Sequence, residues 1–133
     1  MIPMFTTTGV LPAGIHTATL AEIEARFGVQ SEIRRAQMES IRWMIDLAAR
    51  AGVHRIVLNG SFVTDTIEPN DVDCVLLAPS DNASLRFIEE ELEEGLPFLD
   101  IYLADNDEFD AFTNRVFAFD RDQQSKGMIE VAI

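Results

Sequence analysis

The chain has 133 residues, with 23 acids against 10 bases and a net charge of -13 at neutral pH. That size suits a single domain spanning residues 1–133 with one ordinary core, and that charge excludes non-specific DNA binding through neutralised phosphates. Its apolar runs fall far short of the ~18 residues of a membrane span, no charged-then-apolar leader opens the sequence, and the lone Cys74 excludes an intrachain disulfide or a cysteine-based zinc site, so a cytoplasmic protein without membrane association is expected.

Residues 1–18 contain Pro3, Pro12 and two glycines without periodicity and are expected as an extended lead-in packed over the body. Thr19 and Glu22 have capping-box spacing, which predicts a short helix over 20–27 that Gly28 ends in a left-handed turn. Ser31 caps a second predicted helix in which Ile33, Gln37, Ile41, Met44, Ile45 and Ala48 form the apolar face and Gly52 is the stop. Arg35 with Glu39, Arg42 with Asp46, and Asp46 with Arg50 lie four apart on the opposite face, as solvated ion pairs would.

Strands are predicted over 55–58, 71–77 and 98–104, each bounded by Gly, Pro or Asn, with a helix over 81–94 between the last two. The glutamates at 89–91, 93 and 94 put the wrong sign at the negative end of that helix, each costing roughly a few tenths of a kcal/mol. The run 105–110 is read as a helix N-terminus rather than a calcium loop, because it lacks the central Gly and closing Glu. A helical pattern at Phe109, Phe112 and Val116 follows, and then a possible hairpin of 117–119 with 128–133. The fold class is α/β in the broad sense (α+β), a small mixed sheet flanked by helices.

Charge is divided unevenly. Residues 1–59 hold five acids and six arginines, whereas 60–133 hold 18 acids and four bases. Within the acidic half, Asp71 and Asp73 flank Val72 at the start of a strand, so their side chains share one face about 6.5 to 7 Å apart. Two carboxylates so placed repel unless a cation lies between them, and a hard divalent ion such as Mg²⁺ takes such oxygen ligands together with substrate phosphates. Gly60-Ser61, separated from Asp71 by nine residues, ends a strand; Gly permits close backbone approach, and Ser can offer hydroxyl and amide to a phosphate. Asp100 interrupts an apolar strand, where a carboxylate is costly unless a charge pairs with it. Three aspartates on neighbouring strands suit two-metal phosphoryl or nucleotidyl transfer.

Gly60-Ser61, the nine-residue spacer, Asp71-Val72-Asp73 and Asp100 resemble the signature of the polymerase-β-like nucleotidyltransferase superfamily. With Leu11-Pro-Ala-Gly-Ile-His16, Gly60-Ser-Phe-Val-Thr64, Pro69-Asn-Asp-Val-Asp73 and Lys126-Gly127, nearly the whole chain is similar to a group of small, poorly characterised bacterial and phage nucleotidyltransferase-like proteins. The resemblance implies transfer of a nucleoside monophosphate from an NTP to an acceptor hydroxyl. Gly60 and Ser61 would hold the β- and γ-phosphates, Asp71 and Asp73 would bind two Mg²⁺ ions, and Asp100 would ligate one of them and help deprotonate the acceptor. It further implies a protein or RNA acceptor, in a toxin-antitoxin or phage-defence setting, and a second copy or partner protein to supply the surface that so short a chain lacks.

Thr66 departs from the pattern, standing where a basic residue is expected, and the loop between Ser61 and Asp71 carries Asp65 and Glu68 but no Lys or Arg. The alternative expectation is therefore a catalytically inactive module of the same fold that binds a partner protein.

Overall fold

In the computed structural model, which describes residues 2–93, 95–116 and 126–133, the local signals at the first two helices act as their chemistry requires. Helix α1 (Leu20–Phe27) opens with the Thr19–Glu22 capping box: the Glu22 amide donates to the Thr19 hydroxyl at 3.2 Å, and the Thr19 amide donates to Glu22 Oε1 at 3.0 Å. Helix α2 (Glu32–Arg50) is capped by Ser31, whose hydroxyl accepts from the Arg34 amide at 3.2 Å, and Gly52 leaves it with φ +77°. Gly28 is required for a different reason than expected. Its φ is -101°, outside the left-handed region, but a Cβ there would lie 2.8 Å from Met38 Cγ, so this glycine lets α1 approach α2.

Five strands form one mixed sheet: β1 (Gly14–Ala18), β2 (Ile56–Asn59), β3 (Val72–Leu77), β4 (Leu99–Ala104) and β5 (Gly127–Val131), in the order β1-β5-β2-β3-β4. β1 runs parallel to β5, β5 antiparallel to β2, β2 antiparallel to β3, and β3 parallel to β4. Helix α3 (Asn82–Leu92) supplies the crossover between the parallel β3 and β4, as that geometry demands. Asp81 caps α3, and no basic residue occupies its last turn, so the glutamates there meet the helix dipole unopposed by their own helix. Helix α4 (Asn106–Ala111) begins with a capping box between Asp105 and Glu108 and runs into a π-helical turn at Phe112–Val116.

Alternation along the strands divides the interior. Leu58, Val72, Cys74, Leu76 and Ile129 pack with Ile23, Phe27, Met38, Ile41, Met44 and Ile88 from α1, α2 and α3. On the other face Val57, Val75, Ala104 and Met128 pack with Phe109 of α4. Each such large apolar side chain contributes roughly 1.5 to 3 kcal/mol by leaving water. On this second face Arg55 donates to both oxygens of Glu130, at 3.0 and 2.7 Å, above the Phe109 ring.

The lead-in differs from its expected form. Residues 14–18 are an edge strand, because Gly127 has no Cβ to strike the Pro12 carbonyl, which would lie 2.1 Å away; the Gly127 amide then donates to Leu11 O at 2.9 Å and β1 aligns along β5. His16 folds back so that its Nε2 lies 2.7 Å from Pro12 O. β5 is paired on both sides, by β1 and β2; the 117–119 half of the expected hairpin, like Glu94, lies outside the described residues. The predicted ion pairs also rearrange: Asp46 meets Arg50 at 3.3 Å, but Arg42 pairs with Glu24 of α1, and Arg35 donates to Val29 O.

Candidate functional site

β2 ends at Asn59, and Gly60 turns the chain with φ 85° and ψ -166°, a region essentially reserved for glycine. A Cβ at this position would lie 2.7 Å from Asp73 Oδ2, so the absence of a side chain is what lets the turn backbone sit against the Asp73 carboxylate. A single 3₁₀ turn, Ser61–Val63, follows. The leading amides of that turn, those of Ser61 and Phe62, precede its first internal bond, from Val63 N to Gly60 O at 3.3 Å. Ser61 Oγ accepts from the Asn70 amide at 3.1 Å, so its own O–H can be given to a ligand.

Gly60, Ser61, Asn70, Asp71 and Asp73 line an open cleft of about 740 Å³. β3 begins at Val72, one residue later than expected, so Asp71 precedes the strand yet still lines this cleft with Asp73. Asp100 is the direct partner of Asp73 in the parallel β3–β4 register and therefore lies on the same face of the sheet. It is exposed, because β4 is the sheet's edge strand; water, rather than a paired charge, meets the cost anticipated for a carboxylate in so apolar a strand. The Tyr102 hydroxyl, two residues along, donates to Asp100 Oδ2 at 3.1 Å.

The electrostatics follow from this gathering of acids. Burial pushes the Asp73 carboxyl above its ordinary range, Asp100 and Asp71 push it further in the same direction, and Lys126 pulls it back. The hydrogen bond to Asp100 is the main cause that raises the Tyr102 phenol. An all-oxygen donor set of this kind fits a hard divalent cation, and the bare Gly60 backbone brings the amides of the turn close to Asp73. Among the described residues, however, no three acidic, His or Cys side chains are drawn tightly enough around one point to hold a metal ion as they stand. The five positions expected to form the site are thus brought to one end of β2, β3 and β4, with Asp100 facing Asp73 across the ladder and the other four lining the cleft.

A model for a family of unknown function, DUF6932, matches residues 3–132. The chain belongs to this family. Nothing matches it among curated proteins or among solved structures. No helix among the described residues of this family member is long and apolar enough to cross a membrane.

Three residues of the DUF6932 chain acquire roles that the sequence pattern did not assign. Arg34, only 3% exposed, donates to the carbonyls of Phe27, Phe62, Thr64 and Thr66 at 2.5 to 3.2 Å, while its guanidinium lies 5.3 Å from the centre of the Phe62 ring. Gln37 donates to Pro69 O at 3.0 Å and Asn70 O at 2.6 Å. Two side chains of α2 thereby tie down the 61–70 loop, and the arginine from the first half that reaches it serves its backbone rather than a phosphate. The available signal was positional: residues 34, 37, 38, 41, 44 and 48 share one helical stripe, so Arg34 falls on the buried face. Asn59 is 1% exposed, pairs with Asp73 in the β2–β3 register, and has no partner for either amide atom among the described residues.

Proposed function

We propose that the protein is a metal-dependent nucleotidyltransferase, a member of the polymerase-β-like superfamily, that moves a nucleoside monophosphate from an NTP to an acceptor hydroxyl. The observation that carries this reading is the meeting of a glycine-only turn with the Asp73 carboxylate in one open cleft, with Asp71 on its wall and Asp100 opposite Asp73. In this reading Gly60 and Ser61 hold the β- and γ-phosphates through turn amides and the Ser61 hydroxyl. Asp71, Asp73 and Asp100 hold two Mg²⁺ ions, which supply charge neutralisation to the triphosphate and polarise the transferred phosphoryl group. Asp100, at the exposed edge, is placed to accept the proton of the incoming hydroxyl.

The acceptor belongs to a second macromolecule in the cytoplasm. The charge of -13 favours a protein over RNA, because RNA phosphates would be repelled. A second copy or a partner protein completes the acceptor side, and a toxin-antitoxin or phage-defence pairing is the proposed setting.

A second reading has its own supporting observation. No Lys or Arg lies between Ser61 and Asp71, and none is among the described residues that line the cleft, although the charge of Lys126 reaches Asp73. A module that keeps the fold, binds a partner protein and catalyses nothing would tolerate that lack. Thermal melting with Mg²⁺ and each of the four NTPs separates the two, because a ligand that binds only the folded state raises the midpoint by mass action. The enzyme reading expects a rise with at least one NTP that is lost in Asp71→Ala with Asp73→Ala. A melting point unmoved by every NTP in the native chain overturns it.

A further inference from the structure

The Tyr102 hydroxyl donates to Asp100 Oδ2 at 3.1 Å, so a hydroxyl of the chain itself already rests against the carboxylate proposed to deprotonate the acceptor. Asp100 and Tyr102 are two residues apart on β4 and project from the same face as Asp73, the register partner of Asp100. β4 is the terminal strand of the sheet, and Tyr102 is 36% exposed, which leaves its phenol open to a nucleotide entering beside Asp73. The Phe112 ring lies 5.2 Å from the Tyr102 ring, centre to centre, and steadies it from one side. Asn59, buried and unpartnered among the described residues on the same face, is an independent sign that this end of the sheet is built for a ligand.

We propose that Tyr102 is an internal acceptor, so that the protein nucleotidylates itself at this position. The inference rests on the nucleotidyl-transfer reading above. The Tyr102 oxygen attacks the α-phosphorus of an NTP; the new O–P bond forms as the bond from that phosphorus to the oxygen bridging the β-phosphate breaks. Pyrophosphate leaves, and the phenolic proton passes to the Asp100 carboxylate. The product is a phosphodiester between the tyrosine and a nucleoside monophosphate. It fills the place beside Asp100 that an external hydroxyl would take, so a modified chain is closed to further transfer until the group is removed.

The sequence contains a single tyrosine, which makes the test unambiguous. Substoichiometric Mn²⁺ should broaden the ring proton signals of Tyr102 in the native chain and leave them sharp in Asp71→Ala with Asp73→Ala. Signals that stay sharp while Mn²⁺ broadens other residues of the cleft would overturn the proposal. Incubation of the full chain with Mg²⁺, inorganic pyrophosphatase and each α-labelled NTP should then add a single nucleotidyl group per chain, mapped by peptide mass to Tyr102. Its rate per chain should not change with protein concentration.

Tyr102→Phe should keep the native melting point and its rise with Mg²⁺ and NTP but take no label. Label retained in Tyr102→Phe, or a native chain that stays unlabelled although Mg²⁺ and NTP raise its melting point, overturns the internal-acceptor proposal alone. A melting point that no NTP moves in either protein overturns the nucleotidyl-transfer reading and this proposal with it.

Discussion

Asp73 on β3 stands directly across the parallel ladder from Asp100 on β4, while the Gly60 turn presses against its Oδ2 from the β2 side. Burial first, and then Asp100 and Asp71, raise the Asp73 carboxyl, with Lys126 opposing. A folded-state pKa above the unfolded value means that the folded chain binds this proton more tightly. The contribution of this group to stability is therefore greatest below the ordinary value of 3.8 and is lost as pH rises through the raised value. Asp73→Asn should melt higher than the native chain at pH 7, and the difference should shrink toward zero as pH falls below that ordinary value. Melting curves across this range check the sign. A variant that gained its stability by packing alone would keep the difference at low pH.

The same turn predicts the cost of filling it. Gly60→Ala places a Cβ 2.7 Å from Asp73 Oδ2 on a backbone with φ 85°. It should lower stability by about 1 to 3 kcal/mol, the range for a strained backbone position, and should weaken NTP binding because the turn must withdraw from Asp73. Urea unfolding gives the first number and the Mg²⁺–NTP thermal shift gives the second.

Most of the scaffold was legible because its signals are local. Caps at Thr19 and Ser31, the helical stripe of α2 and the apolar runs of β2, β3 and β4 each act within a few residues. β1 was not legible: Gly14–Ala18 buries only Ala18 fully, and its partner β5 lies at the other end of the chain. At the site, alternation put Asp100 on the face opposite its apolar neighbours, but its register with Asp73 is set by the β3–β4 pairing and was not legible, whereas the need for Gly60 followed from its position after a strand. Arg34, marked only by its place on the buried stripe of α2, and Asn59 were harder to read for the opposite reason. A charged or amide residue is ordinarily assigned to the surface, and only the tertiary fold brings the carbonyls of the 62–66 segment to Arg34 and buries Asn59 across from Asp73.

Arg34 anchors the loop through four hydrogen bonds and the end of α1 through a fifth, all from one fixed fork, a geometry that lysine cannot reproduce. Arg34→Lys should lower stability by roughly 3 kcal/mol, at the upper end of the cost of leaving buried polar groups without partners. Gln37→Leu, which frees only Pro69 O and Asn70 O, should cost less, about 1 to 2 kcal/mol. Chemical denaturation of the two variants side by side gives the ranking.

Asn59 should show the reverse trade. Both of its amide atoms are buried without a partner among the described residues, so replacing it with a side chain of similar volume removes a desolvation cost. Asn59→Leu should raise stability by about 1 to 2 kcal/mol while reducing the thermal shift from Mg²⁺ and NTP. A variant that gains stability and keeps the full shift would remove Asn59 from the site.

Parallel incubations of the native chain and of Asp71→Ala with Asp73→Ala, with host lysate, Mg²⁺ and NTP labelled at either the α- or the γ-phosphate, test nucleotidyl transfer most directly. Transfer of a nucleoside monophosphate requires the α-label to become attached to a macromolecule and the γ-label to leave as pyrophosphate, with both signals lost in the double variant. Attachment of the γ-label, or no attachment of the α-label from an NTP that demonstrably raises the melting point, would contradict it.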